Sequence, residues 1–243
     1  MNQSNSLAII LAAGRGTRMK SQIPKPLMHV NKKPILYWLI EDFKKNNIDI
    51  AVVINPEDKD YFRDLSNQVF FVFQNKPKGT GHAVQQAVEL FDKYNYIYVF
   101  VGDCPYIGKE NIALMLDEHI KRNNDITILS AIFKQKQFPY ARIIRNKEGV
   151  IKSCIEELDA TSEQKKIQEL FGSHYLFKSD ILEKYLFYLT PNINSKEIYF
   201  TDIINELIKD KKEVCSLLIN DWRRLVGLNT KEDIEWIESQ NMI

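Results

Sequence analysis

The chain has 243 residues, and its 33 basic and 32 acidic side chains leave a formal net charge of +1 at pH 7. That balance argues against a polyelectrolyte partner such as bulk nucleic acid, so any anion site must be local. Hydrophobic residues make up 44% of the chain and charged residues 27%, which is typical of a globular protein and argues against disorder.

Apolar runs alternate with helical patterns along the first half of the chain. This alternation is typical of an α/β fold with a mostly parallel sheet and helices on both faces. The clearest helix is predicted where Ile35, Trp38, Leu39 and Phe43 recur at helical spacing. Strands are predicted at Leu7–Ala12, Ile50–Ile54, Val69–Phe73 and Tyr96–Val101, and helices at Pro34–Asn47, Lys59–Leu65 and Gly81–Tyr94.

The second half is less regular and predicts an α+β decoration of that sheet. Strands are predicted at Asp125–Phe133, Ala141–Arg145 and Leu170–Phe177, and helices at Ser162–Gln168, Ser179–Leu189, Phe200–Lys209 and Lys231–Ser239. Asp221–Val226 is predicted to form either a strand or a turn. Because no linker or repeat separates the halves, we expect one domain, with a core over about residues 1–135 and a smaller subregion over about 136–243.

The first strand runs into a loop that suits a nucleoside triphosphate. Gly14 and Gly16 lack a Cβ, so the backbone can curl and direct its N–H groups at phosphate oxygens. Three basic residues of this stretch would neutralise a polyanion: Arg15, Arg18 and Lys25. Asp103 lies just past another predicted strand, and strand ends share one edge of an open α/β sheet. We therefore expect the Gly14 loop and Asp103 to face one pocket.

Further motifs follow along the chain in a fixed order. They are Leu11–Met19, Pro24–Leu27, Gln74 with Lys78–Ala83, Val101–Pro105, Tyr140–Ile143, Ile155–Thr161, Tyr199–Ile203 and Gly227–Asn229. This series resembles the nucleotide-sugar pyrophosphorylases, and among them the uridylyltransferase domains of the bifunctional GlmU enzymes. The resemblance covers nearly the whole chain and implies a Rossmann-like, GT-A-like nucleotidyltransferase fold.

The resemblance also implies a reaction in which a sugar 1-phosphate attacks the α-phosphorus of UTP and pyrophosphate leaves. Such a transfer depends on positioning and charge stabilisation, for which Arg15, Arg18 and Lys25 are the catalytic candidates. The family's nucleotide-binding positions match Leu11, Ala12, Ala13, Gly14, Gln74, Gly79, Thr80, Gly102 and Asp103. Its sugar-binding positions match Ala141, Glu156, Phe171 and Asn229, and its Mg²⁺ ligands match Asp103 and Asn229.

Two departures from the family pattern lie in the implied sugar pocket. Ala141 stands where the N-acetylglucosamine enzymes have a glycine, and Phe171 stands where they have a sugar-binding asparagine. Because a lost hydrogen bond leaves its partner unpaired, Phe171 predicts an altered acceptor preference. UTP is thus a firmer expectation than the sugar, and UDP-N-acetylglucosamine is one candidate product. The family's acetyltransferase β-helix is not expected, because the chain ends soon after Asn229.

Two other functions stay open at this point. One is a nucleotidyltransferase that uses another nucleotide, such as CTP, and another phosphate monoester, since Pro26 is common among such relatives. The other is a catalytically silent relative that binds nucleotide sugars. Individual motif residues also have simpler interpretations: Asp103 can cap a turn, Asn229 can cap the last helix, and Glu156 with Glu157 can form an exposed pair.

The remaining chemistry-bearing residues carry no assigned role. His82 and His174 have no visible partner, and Cys104 is interpreted as a small buried residue rather than a nucleophile. Cys104, Cys154 and Cys215 are far apart and odd in number, which fits a reducing cytoplasm better than a disulfide framework. Residues 1–6 lack the basic flank of a signal peptide. We expect a cytoplasmic protein without a membrane or nucleic-acid partner, and a homo-oligomer remains open.

Overall fold

The computed structural model describes residues 5–14, 23–134, 138–193 and 195–242. Its strands are β1 (Ser6–Leu11), β2 (His29–Val30), β3 (Lys33–Pro34), β4 (Asp49–Ile54), β5 (Phe70–Phe73), β6 (Tyr96–Val101), β7 (Ile126–Ile132), β8 (Ala141–Arg145), β9 (Ile151–Ile155), β10 (Glu169–Lys178) and β11 (Val214–Leu218). Its helices are α1 (Ile35–Lys45), α2 (Thr80–Gln85), α3 (Lys109–Lys121), α4 (Ser179–Leu186), α5 (Asp202–Lys209) and α6 (Lys231–Ser239). Shorter 3-10 helices cover Lys25–Leu27, Pro56–Leu65, Val88–Lys93, Gln164–Lys166 and Trp222–Leu225.

The main sheet has the strand order β11-β7-β10-β6-β1-β4-β5. Strand β1 pairs in parallel with β4 and β6, and β4 pairs in parallel with β5. Strand β10 runs antiparallel to both β6 and β7, while β11 is parallel to β7. All strands of this order except β10 therefore point the same way, and the predicted mostly parallel α/β sheet is confirmed.

Strands β8 and β9 extend the sheet beside β10. Strand β8 pairs antiparallel with both β10 and β9. The outer edge of β9 is covered by α5, because the Asn205 side chain accepts from the Cys154 N–H and donates to the Cys154 carbonyl, each at 2.8 Å. This antiparallel extension is the α+β part of the molecule, and it carries Ala141 and Phe171 to the same edge as the end of β6.

A hydrophobic core lies on each face of the sheet, because successive residues of β1 point to opposite sides. Ala8 and Ile10 pack with α1 and α3 residues such as Phe43 and Ile112. Leu7 and Ile9 pack on the other face with residues of α2, α4 and α5. All four β1 residues are fully buried, as expected for a central parallel strand. The sheet is thus a rigid platform whose carboxyl edge is free to carry a site.

Several elements differ from their sequence predictions. The predicted helix Gly81–Tyr94 is split into α2 and the 3-10 helix Val88–Lys93. The predicted helices at Lys59–Leu65 and Ser162–Gln168 are 3-10 turns. Of the two alternatives predicted for Asp221–Val226, the structure has the turn, as the 3-10 helix Trp222–Leu225. Helix α3 was not predicted, because its sequence is largely polar and one of its three buried side chains is His119. Strands β9 and β11 were also missed; both are short and only partly buried.

Candidate active site

A cleft of about 260 Å³ opens at the carboxyl ends of β1 and β6. All nine predicted nucleotide-binding residues line it: Leu11, Ala12, Ala13, Gly14, Gln74, Gly79, Thr80, Gly102 and Asp103. Lys25 lines it as well. The chain leaves β1 through backbone that still pairs with the sheet, since the Ala12 N–H donates to the Val53 carbonyl at 2.8 Å. We name this space the donor cleft.

Gly102 shows how closely the two strand ends approach at the floor of the donor cleft. Its N–H donates to the Leu11 carbonyl at 2.9 Å, and a Cβ on Gly102 would lie 3.0 Å from that same oxygen. A larger residue would push β6 away from β1. The floor is therefore backbone and small side chains, which leaves room for a ligand's own polar groups.

Lys25 connects two predicted site residues that are far apart in the chain, Asp103 and Asn229. It opens the 3-10 helix Lys25–Leu27 between Pro24 and Pro26, which fixes its backbone. Its ammonium group forms an ion pair with the Asp103 carboxylate and donates to Asn229 Oδ1 at 2.8 Å. The Lys25 side chain is only 13% exposed. One cation thus lies between two oxygen ligands that are far apart in the chain.

Asp103 is fixed by the loop that carries Gly227. The Asp103 carbonyl accepts from the Leu228 N–H at 2.9 Å. A Cβ on Gly227 would lie 2.9 Å from Asp103 Oδ1, so glycine is what allows the two segments to approach. The Asp103 carboxylate points to Lys25 rather than to a neighbouring backbone N–H. The turn-capping interpretation of Asp103 is therefore wrong.

Asn229 is likewise not a helix cap. The N-cap of α6 is Thr230, which forms a reciprocal capping box with Asp233. The Asn229 N–H donates to the Asp233 carboxylate, and its side-chain amide donates to the Gly227 carbonyl at 3.2 Å. These contacts leave Asn229 Oδ1 to accept from Lys25. The capping of α6 therefore positions Asn229 beside Asp103.

The outer wall of the donor cleft is built by the turn before α2. Gly79 has φ +104°, and a Cβ there would lie 2.5 Å from the Ile198 carbonyl oxygen. The Ile198 N–H donates to the Lys78 carbonyl, and the Gly81 N–H donates to the Ile198 carbonyl, both at 2.8 Å. Thr80 Oγ1 accepts from the Phe200 N–H at 3.0 Å. The turn is thus clamped by a segment about 120 residues further along the chain.

A second cavity of about 160 Å³ adjoins the donor cleft and shares Val101 and Asp103 with it. We name it the acceptor pocket. All four predicted sugar-binding residues line it: Ala141, Glu156, Phe171 and Asn229. The structure therefore brings both predicted residue sets to one continuous surface, with Asp103 where the two spaces meet.

Glu156 lies inside the acceptor pocket rather than in an exposed pair. Its carboxylate accepts a hydrogen bond from the Thr201 hydroxyl, which itself lies 3.2 Å from the Tyr175 hydroxyl. Burial, together with the nearby Asp202 and Asp159, raises the pKa of Glu156, although the Thr201 hydrogen bond opposes this. Glu157 instead pairs with Arg142. The two adjacent glutamates thus have different environments: Glu156 faces the pocket, and Glu157 forms an ion pair with Arg142 of strand β8.

Phe171 and Ala141 form the apolar floor of the acceptor pocket. They lie directly opposite each other in the β8–β10 pair, so their side chains share one face. Phe171 is 1% exposed and its ring contacts Tyr175 edge-to-face, with the centroids 4.8 Å apart. Phe171 is therefore part of the hydrophobic core as well as of the pocket.

Comparison with known families shows to which family the chain belongs. A family model described as a MobA-like NTP transferase domain matches residues 8–178. The chain belongs to this family. The nucleotidyltransferase class predicted from the motifs is thereby confirmed.

Individual relatives agree with this assignment. The chain is 33% identical over 227 residues to the bifunctional protein GlmU of Acetivibrio thermocellus, which covers 93% of this chain and 49% of that protein. It is 34% identical over 238 residues to GlmU of Clostridium perfringens strain SM101, covering 97% of this chain and 52% of that protein. The chain thus spans about half the length of the curated relatives it matches.

A solved structure also shares the fold. It comes from Bacillus anthracis and is named as a glucose-1-phosphate thymidylyltransferase in complex with a sucrose. The TM-score is 0.79 at 20% sequence identity, with 97% of this chain and 94% of that chain covered. At this identity the likeness concerns the fold alone. Within the described part of this chain, none of the helices is long and apolar enough to cross a membrane.

Some site residues of this NTP transferase were assigned no role from the sequence. Tyr140 accepts from the Gly227 N–H at 2.8 Å and so ties β8 to the Asn229 loop. Arg142, 4% exposed, donates to the Tyr140 carbonyl. Ser173 takes φ +64°, a left-handed conformation that favours glycine, at the bulge in β10. A charged residue within an otherwise apolar strand, Arg142, is the one feature of the sequence that could have predicted a buried ion pair here.

Glu197 and Pro77 also line the donor cleft, although no motif pointed to them. In contrast, Arg15, Arg18 and Gly16 lie outside the described residues, and their predicted roles stay predictions. Cys104 is buried, its thiol lies 3.3 Å from the Arg224 carbonyl, and burial raises the pKa of that thiol. Burial also lowers the pKa of His174 to about 3, so this histidine is neutral inside the core.

Proposed function

We propose that the chain transfers the uridylyl group of UTP to a sugar 1-phosphate and releases pyrophosphate. The observation that carries the proposal is the adjacency of the donor cleft and the acceptor pocket, which share Asp103, the residue that pairs with Lys25. A transferase for two phosphate-bearing substrates needs two such spaces within reach of one another. The resemblance to GlmU over nearly the whole chain supports the same reaction.

In this proposal the nucleotide lies in the donor cleft. Gln74 and Gly79 meet the base edge, and the backbone of Leu11–Gly14 meets the ribose and phosphates. The cleft wall is largely backbone and small side chains, which can contact polar groups closely. Lys25 supplies a positive charge that sits at the boundary between nucleotide and acceptor.

Asp103 and Asn229 are suited to hold the Mg²⁺ that the family resemblance implies. Their oxygens already converge on a single cation, the Lys25 ammonium group. Two hard oxygen ligands are typical for Mg²⁺, which usually keeps several waters and binds substrate phosphates. When bound, the ion would neutralise phosphate charge at the point where the two substrates meet. Asp103 and Asn229 are fixed by the Gly227 loop independently of any ligand.

The transfer itself requires no protein nucleophile. A phosphate oxygen of the acceptor forms a bond to the α-phosphorus, the bond from that phosphorus to the bridging oxygen breaks, and pyrophosphate departs with the electron pair. The chain's contribution is to hold both phosphates in line and to stabilise their charge. Cys104 is enclosed and protonated beside this site, which argues against a covalent intermediate on its thiol.

The acceptor lies in the acceptor pocket, where Glu156 can accept from a hydroxyl group. The apolar floor formed by Phe171 and Ala141 disfavours the amide-bearing N-acetylglucosamine 1-phosphate relative to other sugar phosphates. The same apolar floor is also compatible with a second candidate function, that of a nucleotidyltransferase acting on a different phosphate monoester. The two candidates share the reaction and differ only in the acceptor and base.

One assay separates these candidates. Pyrophosphate release is measured with Mg²⁺ for UTP, CTP, GTP, ATP and dTTP, each against a panel of sugar 1-phosphates that includes glucose and N-acetylglucosamine. Release with UTP and one sugar 1-phosphate supports the proposal and names the acceptor. Release with CTP and not with UTP supports the second candidate. Tight binding of UDP-sugars without any release contradicts both and identifies a catalytically silent relative.

A further inference from the structure

The Gln74 side chain is held in one orientation at the wall of the donor cleft. Gln74 follows β5, is 4% exposed, and its backbone N–H donates to the Ile54 carbonyl at 2.9 Å. Its side-chain nitrogen Nε2 lies 3.2 Å from the Gly79 carbonyl oxygen and 2.9 Å from Nδ1 of His82. Gly79 lies in the turn before α2 and His82 in the first turn of that helix, and both segments belong to the wall of the cleft.

The Gly79 carbonyl decides which end of the amide faces it. A carbonyl oxygen can only accept, so the amide atom at 3.2 Å must be the NH₂ group. The second N–H of that group then donates to His82 Nδ1, which must accept and therefore carries no proton. The ring proton lies on Nε2, and His82 is neutral. Burial and the nearby Lys78 lower the pKa of His82, in agreement with a neutral ring.

The other face of His82 does not disturb this arrangement. The Gln86 amide nitrogen lies 3.4 Å from His82 Nε2, but it donates to the His82 carbonyl at the shorter distance of 3.1 Å. That contact is exposed, so water can accept the Nε2 proton. The tautomer is thus set by the Gln74 side of the ring alone.

With both N–H groups of its amide engaged, Gln74 offers only its carbonyl oxygen to a ligand. Gln74 Oε1 accepts no hydrogen bond from any residue that the structure describes. It is also not among the polar side-chain atoms that are completely buried without a partner. It therefore opens to the donor cleft that Gln74 lines. A base placed there must present a hydrogen-bond donor to it.

We infer that His82 is a positioning residue for base selection: as an acceptor on the far side of the Gln74 amide, it fixes the Gln74 carbonyl toward the base. This rests on the proposed nucleotide role of the donor cleft. Uracil and thymine carry a proton on N3 and satisfy the carbonyl. At the position of N3 cytosine has a bare lone pair, which the carbonyl repels, and its amino donor lies where uracil has the O4 acceptor instead. His82 itself does not touch the nucleotide.

Two substitutions separate this role from a purely structural one. His82→Asn retains an acceptor oxygen near the place of Nδ1, whereas His82→Leu retains bulk without any acceptor. The readouts are the ratio of kcat/KM for UTP over CTP and the ratio of affinities for UDP over CDP by titration calorimetry. Circular dichroism and thermal melting check the fold, and His82→Ala serves as a second acceptor-free variant.

The inference predicts a wild-type preference for the uracil nucleotide that His82→Asn retains. His82→Leu and His82→Ala lose about fivefold or more of that preference, because the amide is then held by Gly79 alone. An unchanged ratio in the acceptor-free variants overturns the inference, and so does an equal loss in all three variants. A wild-type preference for CTP overturns it as well. If the wild-type protein binds neither UDP nor CDP, the proposed function fails together with this inference.

Discussion

The donor cleft and the acceptor pocket meet at Asp103 but are built in different ways. The donor cleft consists mainly of backbone and small residues at the ends of parallel strands, and its residues come from short contiguous motifs. The acceptor pocket is assembled from side chains of the antiparallel extension and of the loop before α6. A site made of backbone changes little with side-chain substitution, whereas a site made of side chains changes with each one.

This difference explains where the chain departs from its relatives. The two departures predicted for the sugar-binding half, Ala141 and Phe171, both line the acceptor pocket. All nine predicted nucleotide-binding residues line the donor cleft, where Pro26 is the position that keeps another base or acceptor open. We therefore expect the nucleotide half of the reaction to be shared with the family and the acceptor to be particular to this chain.

The largest effect is expected at the junction of the two spaces. Lys25→Ala removes the charge between Asp103 and Asn229, and we expect turnover to fall by about 100- to 1000-fold with the fold retained. The measurement is steady-state pyrophosphate release, with thermal melting as the check on folding. Lys33→Ala is the matched control, since Lys33 pairs with Glu41 away from both cavities and its loss should leave turnover unchanged. A Lys25→Ala enzyme with near wild-type turnover contradicts the site assignment.

The acceptor pocket is tested at Phe171. Phe171→Asn should raise activity on N-acetylglucosamine 1-phosphate relative to glucose 1-phosphate, because it restores a polar group to the floor. The same change removes a buried ring from its contact with Tyr175, so we expect a loss of stability of about 3 kcal/mol. Phe171→Leu, which opens space without a polar group, should leave the preference in place. Equal ratios in wild type and Phe171→Asn would show that Phe171 does not face the acceptor.

The donor cleft is tested at Gly79. Gly79→Ala combines a left-handed backbone with a 2.5 Å approach to the Ile198 carbonyl, so we expect a stability loss of about 3 kcal/mol and weaker nucleotide binding. Gly149 has φ +80° with no atom within 4 Å of a built Cβ. Gly149→Ala therefore measures the cost of the left-handed backbone alone, a loss of about 1 kcal/mol in the free energy of unfolding, and it should not alter nucleotide binding. Chemical denaturation and nucleotide titration measure both effects. Matching losses in the two variants would rule out the clamp by Ile198.

The smallest effect concerns the pH dependence of stability at Glu156. Because the pKa of Glu156 is raised in the folded state, its contribution to unfolding free energy falls as pH rises through the folded pKa. Glu156→Gln removes this cost, so its melting temperature should exceed that of wild type at pH 7. The gain should vanish near pH 4, where the wild-type carboxyl is protonated. The KM for the acceptor should rise while that for the nucleotide stays unchanged.

Glu157→Gln provides the contrast. It weakens the ion pair with the buried Arg142, so we expect a loss of about 2 kcal/mol at pH 7 rather than a gain. Melting temperatures of both variants between pH 4 and pH 8 test the pair. Stabilisation by Glu157→Gln, or destabilisation by Glu156→Gln at pH 7, would contradict the different environments described for these residues.

Only part of the site could be predicted from strand placement alone. Strand periodicity places Leu11 and Asp103 at one sheet edge, whereas Gln74, Gly79 and the residues of the acceptor pocket were predicted through the family resemblance. Contacts across long separations leave no periodic trace: the Arg142–Glu157 pair, the clamp of Gly79 by Ile198 and the Tyr140–Gly227 bond were not foreseen. Helix α3 was missed because only one narrow stripe of it is buried.

The central claim is a direct transfer between two substrates bound on either side of Asp103. The most direct measurement follows the label of [α-³²P]UTP through a single turnover with Mg²⁺ and the sugar 1-phosphate that the wild-type enzyme prefers. The account predicts that all transferred label appears in the nucleotide sugar, in equal amount to the pyrophosphate released, and that none stays on the protein. Label retained on the protein, or bound nucleotide with no pyrophosphate released, would contradict it.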